Sequence, residues 1–216
     1  MKGFSFVSSR ARNASTVPAA PQGAVGVVIA GGAASRFGAD KASYLLAGEA
    51  LAARAARRLG AVCREVVVAD AGRGLLGEAF RSLPDGLARG PAAGILGVEA
   101  AYPGRTLLVL ACDLPLVPIE LLAELLAIPD DLDLVLPRWA RGVEPLCARY
   151  GPRALAALAK DAERGDFSLR RLIERDDLDV GFLEGAALER WGGPAEIFWN
   201  VNEPSDLTSL AGRSLP

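Results

Sequence analysis

The sequence predicts a single α/β domain with a doubly wound, mostly parallel sheet and helices on both faces. Two observations carry that prediction. Short, continuously apolar runs alternate with Ala/Leu/Arg-rich segments of helical length, the pattern of strands buried from both sides. The chain has 216 residues, of which 51% are hydrophobic, enough to bury a sizeable core within one domain.

The elements follow in order. Val25–Ala30 reads as the first strand, Leu51–Leu59 as a helix, Glu65–Ala69 as a strand and Leu75–Phe80 as a helix. The alternation continues with a helix over Ala92–Ala101, a strand over Thr106–Ala111, a helix over Ile119–Ala127 and a strand over Leu132–Leu136. The last third departs from it, with a strand over Glu144–Tyr150 and helices over Pro152–Lys160 and Leu169–Glu174. A late strand over Glu196–Val201 and a short C-terminal helix complete a segment able to close over the top of the sheet. Pro and Gly cluster in "LPDGLARGPAAG" (83–94) and "WGGPAE" (191–196), read as working loops rather than linkers. Residues 25–216 form the domain, and residues 1–24, "MKGFSFVSSRARNASTVPAAPQGA", a disordered tail or the product of an upstream start. A transit peptide shares the tail's composition, but the apolar segment of a secretory signal is missing.

Composition restricts the chemistry. A net charge of −2 with interspersed signs offers no basic face for nucleic acid. No apolar run reaches the roughly 20 residues of a membrane-spanning helix, so a cytoplasmic protein is expected. Cys63, Cys112 and Cys147 lie far apart in apolar surroundings without a C-x-x-C pair, as core thiols of a reducing compartment do. There is no histidine, which excludes Ser-His-Asp and Cys-His nucleophiles and imidazole metal sites. What remains is chemistry by positioning, carboxylate-bound metal and cationic clamps, and phosphoryl and nucleotidyl transfer is the main class that works this way.

In open α/β sheets ligands bind outside the carboxyl ends of the strands. The residues found there are the Gly31–Lys41 loop, Asp70, Asp113 in "CDLP", and Asn200 and Asn202 at the end of the late strand. The loop in "VVIAGGAASRFGADK" (27–41) offers glycines, Arg36 and Lys41 after a buried strand, a common way to present backbone N–H groups to phosphate. It is not a Walker A loop, because five residues separate Gly32 from Gly38 and Lys41 stands three beyond. Nor does it contain G-x-G-x-x-G.

The full string "AGGAASRFGADKA" resembles the A-G-G-x-S-x-R-[MF]-G-x-D-K-A motif of the molybdenum cofactor guanylyltransferases, nucleotidyltransferases of Rossmann-like fold. The resemblance extends through "RGPAAGILGVEAA" (89–101), "LLVLACDLPLVP" (107–118), "EPLCARY" (144–150) and "FWNVNEPSDL" (198–207). Only residues 1–24 and about 175–195 lie outside it. Two positions depart from the pattern. Ala93 replaces a usual Leu, and Asp70 stands where Asn often follows the second strand. A carboxylate there would repel a triphosphate unless it points away, so Asp70 is kept out of the site.

The resemblance implies transfer of GMP from GTP to the terminal phosphate of molybdopterin, with release of pyrophosphate. It implies Mg²⁺ held by Asp113, and a clamp on the leaving pyrophosphate from Arg36, Lys41 and the amides of Gly31, Gly32 and Gly38. It nominates the backbone of Ala30 and Gly31 together with Asp85 for the base, and Gly90 as a further nucleotide contact. Asp113 has a second reading as a helix cap before 119–127. Asn200 and Asn202, spaced to share one side of a strand, would assist the metal or the acceptor. Arg138, Trp139 and Arg141, expected in a loop, could meet the acceptor's phosphate or have no such role. A-G-G rather than A-A-G favours GTP over CTP. A sibling enzyme using CTP or another phosphorylated acceptor, and a catalytically silent nucleotide- or cofactor-binding carrier, are the alternatives. Expected partners are the two substrates and, after transfer, molybdoenzymes or their chaperones.

Overall fold

The structure is a computed structural model that describes residues 23–31, 41–129 and 131–210. The chain opens with β1 (Val25–Ile29), wholly buried. A small antiparallel hairpin, β2 (Leu45–Leu46) and β3 (Glu49–Ala50), leads into α1 (Leu51–Gly60). Next come β4 (Glu65–Ala69), β5 (Arg81–Leu83), α2 (Pro91–Ala101), β6 (Leu107–Ala111) and α3 (Ile119–Ala127). The remainder comprises β7 (Leu134–Trp139), β8 (Gly142–Val143), β9 (Cys147–Tyr150), α4 (Pro152–Glu163), α5 (Leu169–Ile173) and β10 (Val180–Leu183). Three short helices, α6 (Ala186–Glu189), α7 (Pro194–Ile197) and α8 (Pro204–Leu210), end the described chain.

The main sheet runs β10-β7-β9-β6-β1-β4-β5, with β8 paired to β7. β4, β1 and β6 are parallel neighbours, as are β4 with β5 and β7 with β10, while β9 is antiparallel to both β6 and β7. Alternate residues of each central strand serve opposite faces. Val28, Leu108 and Leu110 pack with Leu51 and Leu59 of α1 and Leu121 and Leu122 of α3. Val27, Ile29, Leu107 and Val109 pack on the other side with Ile95 of α2 and Leu155 and Leu158 of α4. Burial on both faces explains why these strands are continuously apolar. It also confirms the α/β class and the mostly parallel sheet.

β1 lies between β4 and β6, and Ile29 and Ala111 are partners in register. Chain connections therefore diverge on either side of β1, the arrangement that opens a crevice at the carboxyl ends of the strands. Gly31 follows one lip of that crevice and Asp113 the other; the Cys112 N–H donates to the Ile29 carbonyl at 3.1 Å across it.

Several local expectations are corrected. Leu75–Phe80 is not a helix: it contains a 3₁₀ turn at Gly77–Ala79 and then passes into β5. Gly72, Gly74 and Gly77 all take positive φ, which breaks a right-handed helix wherever it might start. Glu196–Val201 is not a strand. Pro194 starts α7 immediately after Gly193, the position proline suits best, and residues beyond Ile197 leave the helix as irregular chain. Arg138 and Trp139 belong to β7 rather than to a loop, and only Arg141 lies in the turn before β8. β10 falls in the region outside the recognised motifs.

All three cysteines are buried and outside any disulfide, as expected for core thiols. Burial pushes the Cys63 thiol up to about 12 and raises Cys147 too, so neither is a nucleophile near neutrality. The expected tail lies outside the described residues apart from Gly23 and Ala24. Among the described residues no helix is long and apolar enough to cross a membrane.

Candidate active site

Lys41, the last residue of the opening loop, begins a 3₁₀ turn that ends at Ser43. Its Nζ donates to Asp113 Oδ2 at 2.8 Å, to Asn202 Oδ1 at 3.2 Å and to Asn200 Oδ1 at 3.3 Å. Four of the residues nominated from the sequence thus meet at one point, although 161 positions separate Lys41 from Asn202. The ion pair is partly open to solvent, with 31% of the Lys41 and 25% of the Asp113 side chain exposed.

Local folding brings these groups together. Asp113 leaves β6 two residues past Ala111, where the Leu114 N–H closes a turn on the Ala111 carbonyl at 3.2 Å. Its own carbonyl accepts the Val201 N–H at 2.9 Å, pinning the C-terminal segment over the strand ends. Asn202 is held from the other side. Asp206 accepts the N–H groups of Asn202 and Glu203 at 2.7 and 2.9 Å, and the Glu203 and Asn202 bonds hold its carboxyl below the ordinary range. Asn200 and Asn202 therefore share a direction through a tethered irregular segment, not through the strand alternation expected of them. Asp113 is not the cap of α3: that position belongs to Pro118, and no side chain caps the helix there.

Further along the same end of the sheet, Glu144 lies half-buried and accepts the Trp139 indole N–H at 2.7 Å. Burial raises its carboxyl above the ordinary glutamate range, the Trp139 bond opposes the shift, and the negative charge of Asp113 adds to it. Trp139 in turn lies 6.1 Å from the Phe198 ring, two residues before Asn200. Sequence reasoning gave Glu144 no role, although it opens the quoted "EPLCARY" string. Of the three residues considered for the acceptor, Arg138 is engaged by Glu184 at 2.6 Å and by the Phe182 ring at 4.0 Å. Arg141 is exposed, its guanidinium 5.4 Å from the Trp139 ring centre.

The residues nominated for the nucleotide base lie on the β4–β5 side. Gly31 and Asp85 are exposed, and Gly90 takes φ 61° immediately before Pro91 opens α2, a conformation that glycine tolerates best. The loop carrying Asp85 is seated tightly on α2, because a Cβ at Gly97 would lie 2.0 Å from the Pro84 carbonyl oxygen. Ala30 is already engaged: its N–H donates to Ala69 O at 3.1 Å, and its carbonyl accepts from Arg73 at 2.7 Å, leaving one lone pair. Asp70 points away from the crevice. It is fully buried and accepts the N–H groups of Arg73 and Leu75 at 3.2 and 2.8 Å and the Ser82 hydroxyl. It organises the turn after β4, where Ala71 takes φ 59°. Gly32, Arg36 and Gly38 lie outside the described residues.

Among the described residues no group of three or more His, Cys, Asp and Glu side chains is placed to hold a metal. The Lys41 cluster has a different donor set, one carboxylate and two amide oxygens turned toward a positive charge. Such hard oxygens fit Mg²⁺ or Mn²⁺, which bind through one or two carboxylates with substrate phosphate and water completing the shell.

A parallel-sheet crevice carrying a lysine, a carboxylate and two amides, in a chain without histidine, suits chemistry by charge and positioning, as in phosphoryl and nucleotidyl transfer. The sequence profile of the MobA-like NTP transferase domain matches residues 26–180. A probable molybdenum cofactor guanylyltransferase from a Nostoc species is 30% identical over 195 residues, covering 86% of this chain and 89% of its own. Molybdopterin-guanine dinucleotide biosynthesis protein A from Archaeoglobus fulgidus superposes with a TM-score of 0.71 at 23% identity, over 86% of this chain and 95% of its own. A Mycobacterium tuberculosis protein solved in complex with manganese shares the fold, with a TM-score of 0.61 at 18% identity over 88% and 98% of the two chains. The chain belongs to the MobA-like NTP transferase family.

Proposed function

We propose that this nucleotidyltransferase moves GMP from GTP to the terminal phosphate of molybdopterin, releasing pyrophosphate and forming a guanine dinucleotide cofactor. The convergence of Lys41, Asp113, Asn200 and Asn202 at the crevice is the observation that carries the reading. The names borne by the relatives, a molybdenum cofactor guanylyltransferase and a molybdopterin-guanine dinucleotide biosynthesis protein, support a guanine nucleotide and molybdopterin as the two substrates.

An acceptor phosphate oxygen attacks the α-phosphorus, and the bond to the bridging oxygen of pyrophosphate breaks. Charge accumulates on the leaving group, so preorganised positive charge and N–H donors aimed there lower the barrier. Lys41 supplies that charge from the described part of the site, with Arg36 and the amides of Gly31, Gly32 and Gly38 assigned to the same clamp. Asp113, with Asn200 and Asn202, would hold Mg²⁺, which when bound neutralises phosphate charge. Ala30, Gly31, Asp85 and Gly90 are assigned to the nucleotide, and the Asn200–Asn202 segment also borders the acceptor. The reaction is placed in the cytoplasm, with molybdoenzymes or their chaperones receiving the product.

The test is pyrophosphate release with GTP, CTP and ATP, each with and without molybdopterin, in Mg²⁺. Turnover with GTP well above CTP and ATP, and only with the acceptor present, is expected. Equal or faster turnover with CTP removes the guanylyl assignment.

A further inference from the structure

The place that Lys41 occupies goes beyond its role as a phosphate clamp. An ammonium group has three donors, and here each has an oxygen partner: Asp113 Oδ2, Asn202 Oδ1 and Asn200 Oδ1, all within 3.3 Å. Both amides present oxygen rather than nitrogen, the orientation that a central cation imposes. These are the same oxygens assigned above to Mg²⁺. Metal–oxygen distances for Mg²⁺ are about 2.0–2.1 Å. The ammonium therefore stands where the metal's own coordination shell would lie, and the two cannot share those oxygens.

We propose that Lys41 competes with the divalent cation for the Asp113–Asn200–Asn202 oxygens, so that the cation enters with the nucleotide rather than ahead of it. The inference rests on the reading of Asp113 as the metal-holding carboxylate. Lys41 sits at the start of a short turn on a four-carbon stem, and the pair it forms is about a quarter to a third exposed. Such a pair is weakly held. Incoming phosphates, which carry several negative charges, offer the ammonium a better partner and free the oxygens for the cation they bring. Without phosphates, a divalent ion must displace the ammonium and then sit beside its charge, and both effects weaken binding.

The experiment measures Mn²⁺ binding to the full chain by electron paramagnetic resonance of free Mn²⁺, without nucleotide. It compares wild type, Lys41→Met, Asp113→Asn and the double variant, with circular dichroism confirming the fold of each. Lys41→Met keeps the stem and removes the charge, and binding at least tenfold tighter than wild type is expected. The double variant should lose that gain. Equal affinity in wild type and Lys41→Met, with both weakened by Asp113→Asn, overturns the competition and leaves the metal reading standing. A gain in Lys41→Met that survives Asp113→Asn overturns both, because the cation then binds elsewhere.

Discussion

Replacing Asp113 by Asn separates chemistry from folding at this site, because the two effects differ greatly in size. The Asp113 carboxylate is 25% exposed and its visible ion pair is with a lysine that is 31% exposed. Pairs of that kind contribute about 0.2–1 kcal/mol after solvent screening. The substitution keeps an oxygen toward Lys41 and leaves the backbone bond from Val201 to the Asp113 carbonyl untouched. A loss of about 1 kcal/mol in a chain of this size lowers Tm by about 2–4 °C. If Asp113 holds the proposed cation, turnover by contrast loses the carboxylate that keeps that cation's positive charge at the triphosphate, and one such electrostatic contribution is worth about 10²–10³ in kcat. The assay is pyrophosphate release at saturating GTP and acceptor, paired with a thermal melt of the same preparation. A variant turning over near the wild-type rate would refute the metal-holding role. A fall in Tm of about 10 °C would show that the residue is chiefly structural and would strip the kinetic loss of its meaning.

Two further substitutions probe the neighbourhood. Glu144→Gln keeps an oxygen for the Trp139 indole but removes a carboxyl held above its ordinary range by burial, against the Trp139 bond, with the charge of Asp113 adding. A raised carboxyl contributes stability fully present below its unfolded value of about 4.3 and lost as pH rises through the folded value. The variant should therefore melt above wild type at pH 7, with the advantage fading toward pH 4; an advantage that does not change with pH would refute the cause. Asp70→Ala leaves two backbone N–H groups and the Ser82 hydroxyl without their buried acceptor, a loss of about 3 kcal/mol or more in urea unfolding. A change under about 1 kcal/mol would mean that the turn after β4 does not depend on it.

The parts of the fold that were legible are those where one periodicity governs a whole segment. Glu65–Ala69 matches its expected bounds and β1 and β6 match within a residue, because two-sided burial leaves an apolar run, and Ile119–Ala127 matches because its buried leucines recur at helical spacing. Failures occur where local geometry outweighs pattern. Leu75–Phe80 contains enough apolar residues for a helix, but glycines at positive φ and the buried Asp70 carboxylate organise the segment as turns. β10 reads "VGFL", too short to stand out, and owes its existence to pairing with β7, where Gly181 pairs with Val135 and packs against Leu132 just before that strand. Arg149 is buried without a carboxylate beside it in sequence; it binds the carbonyls of Ile128, Pro129 and Leu132, a role visible only once that loop is folded over it.

The site divides along the same line. The absence of histidine and the chemistry of phosphate narrow the residue types expected at the strand ends, and the motif resemblance singled out Lys41, Asp113, Asn200 and Asn202 there without coordinates. Their mutual geometry could not be read in the same way. The two asparagines were expected on one side of a strand, yet they reach Lys41 from irregular chain fastened at two points, through Val201 to Asp113 and through Asn202 to Asp206. The first fastening uses the backbone of Asp113, so the segment carrying the amides is tied to the turn carrying the carboxylate. Lys41 reaches those oxygens on a flexible stem from a different part of the chain. The oxygens are thus fastened through backbone and the ammonium only through its side chain, which is why the proposed exchange of Lys41 for a divalent ion would ask a side chain to move and not the sheet.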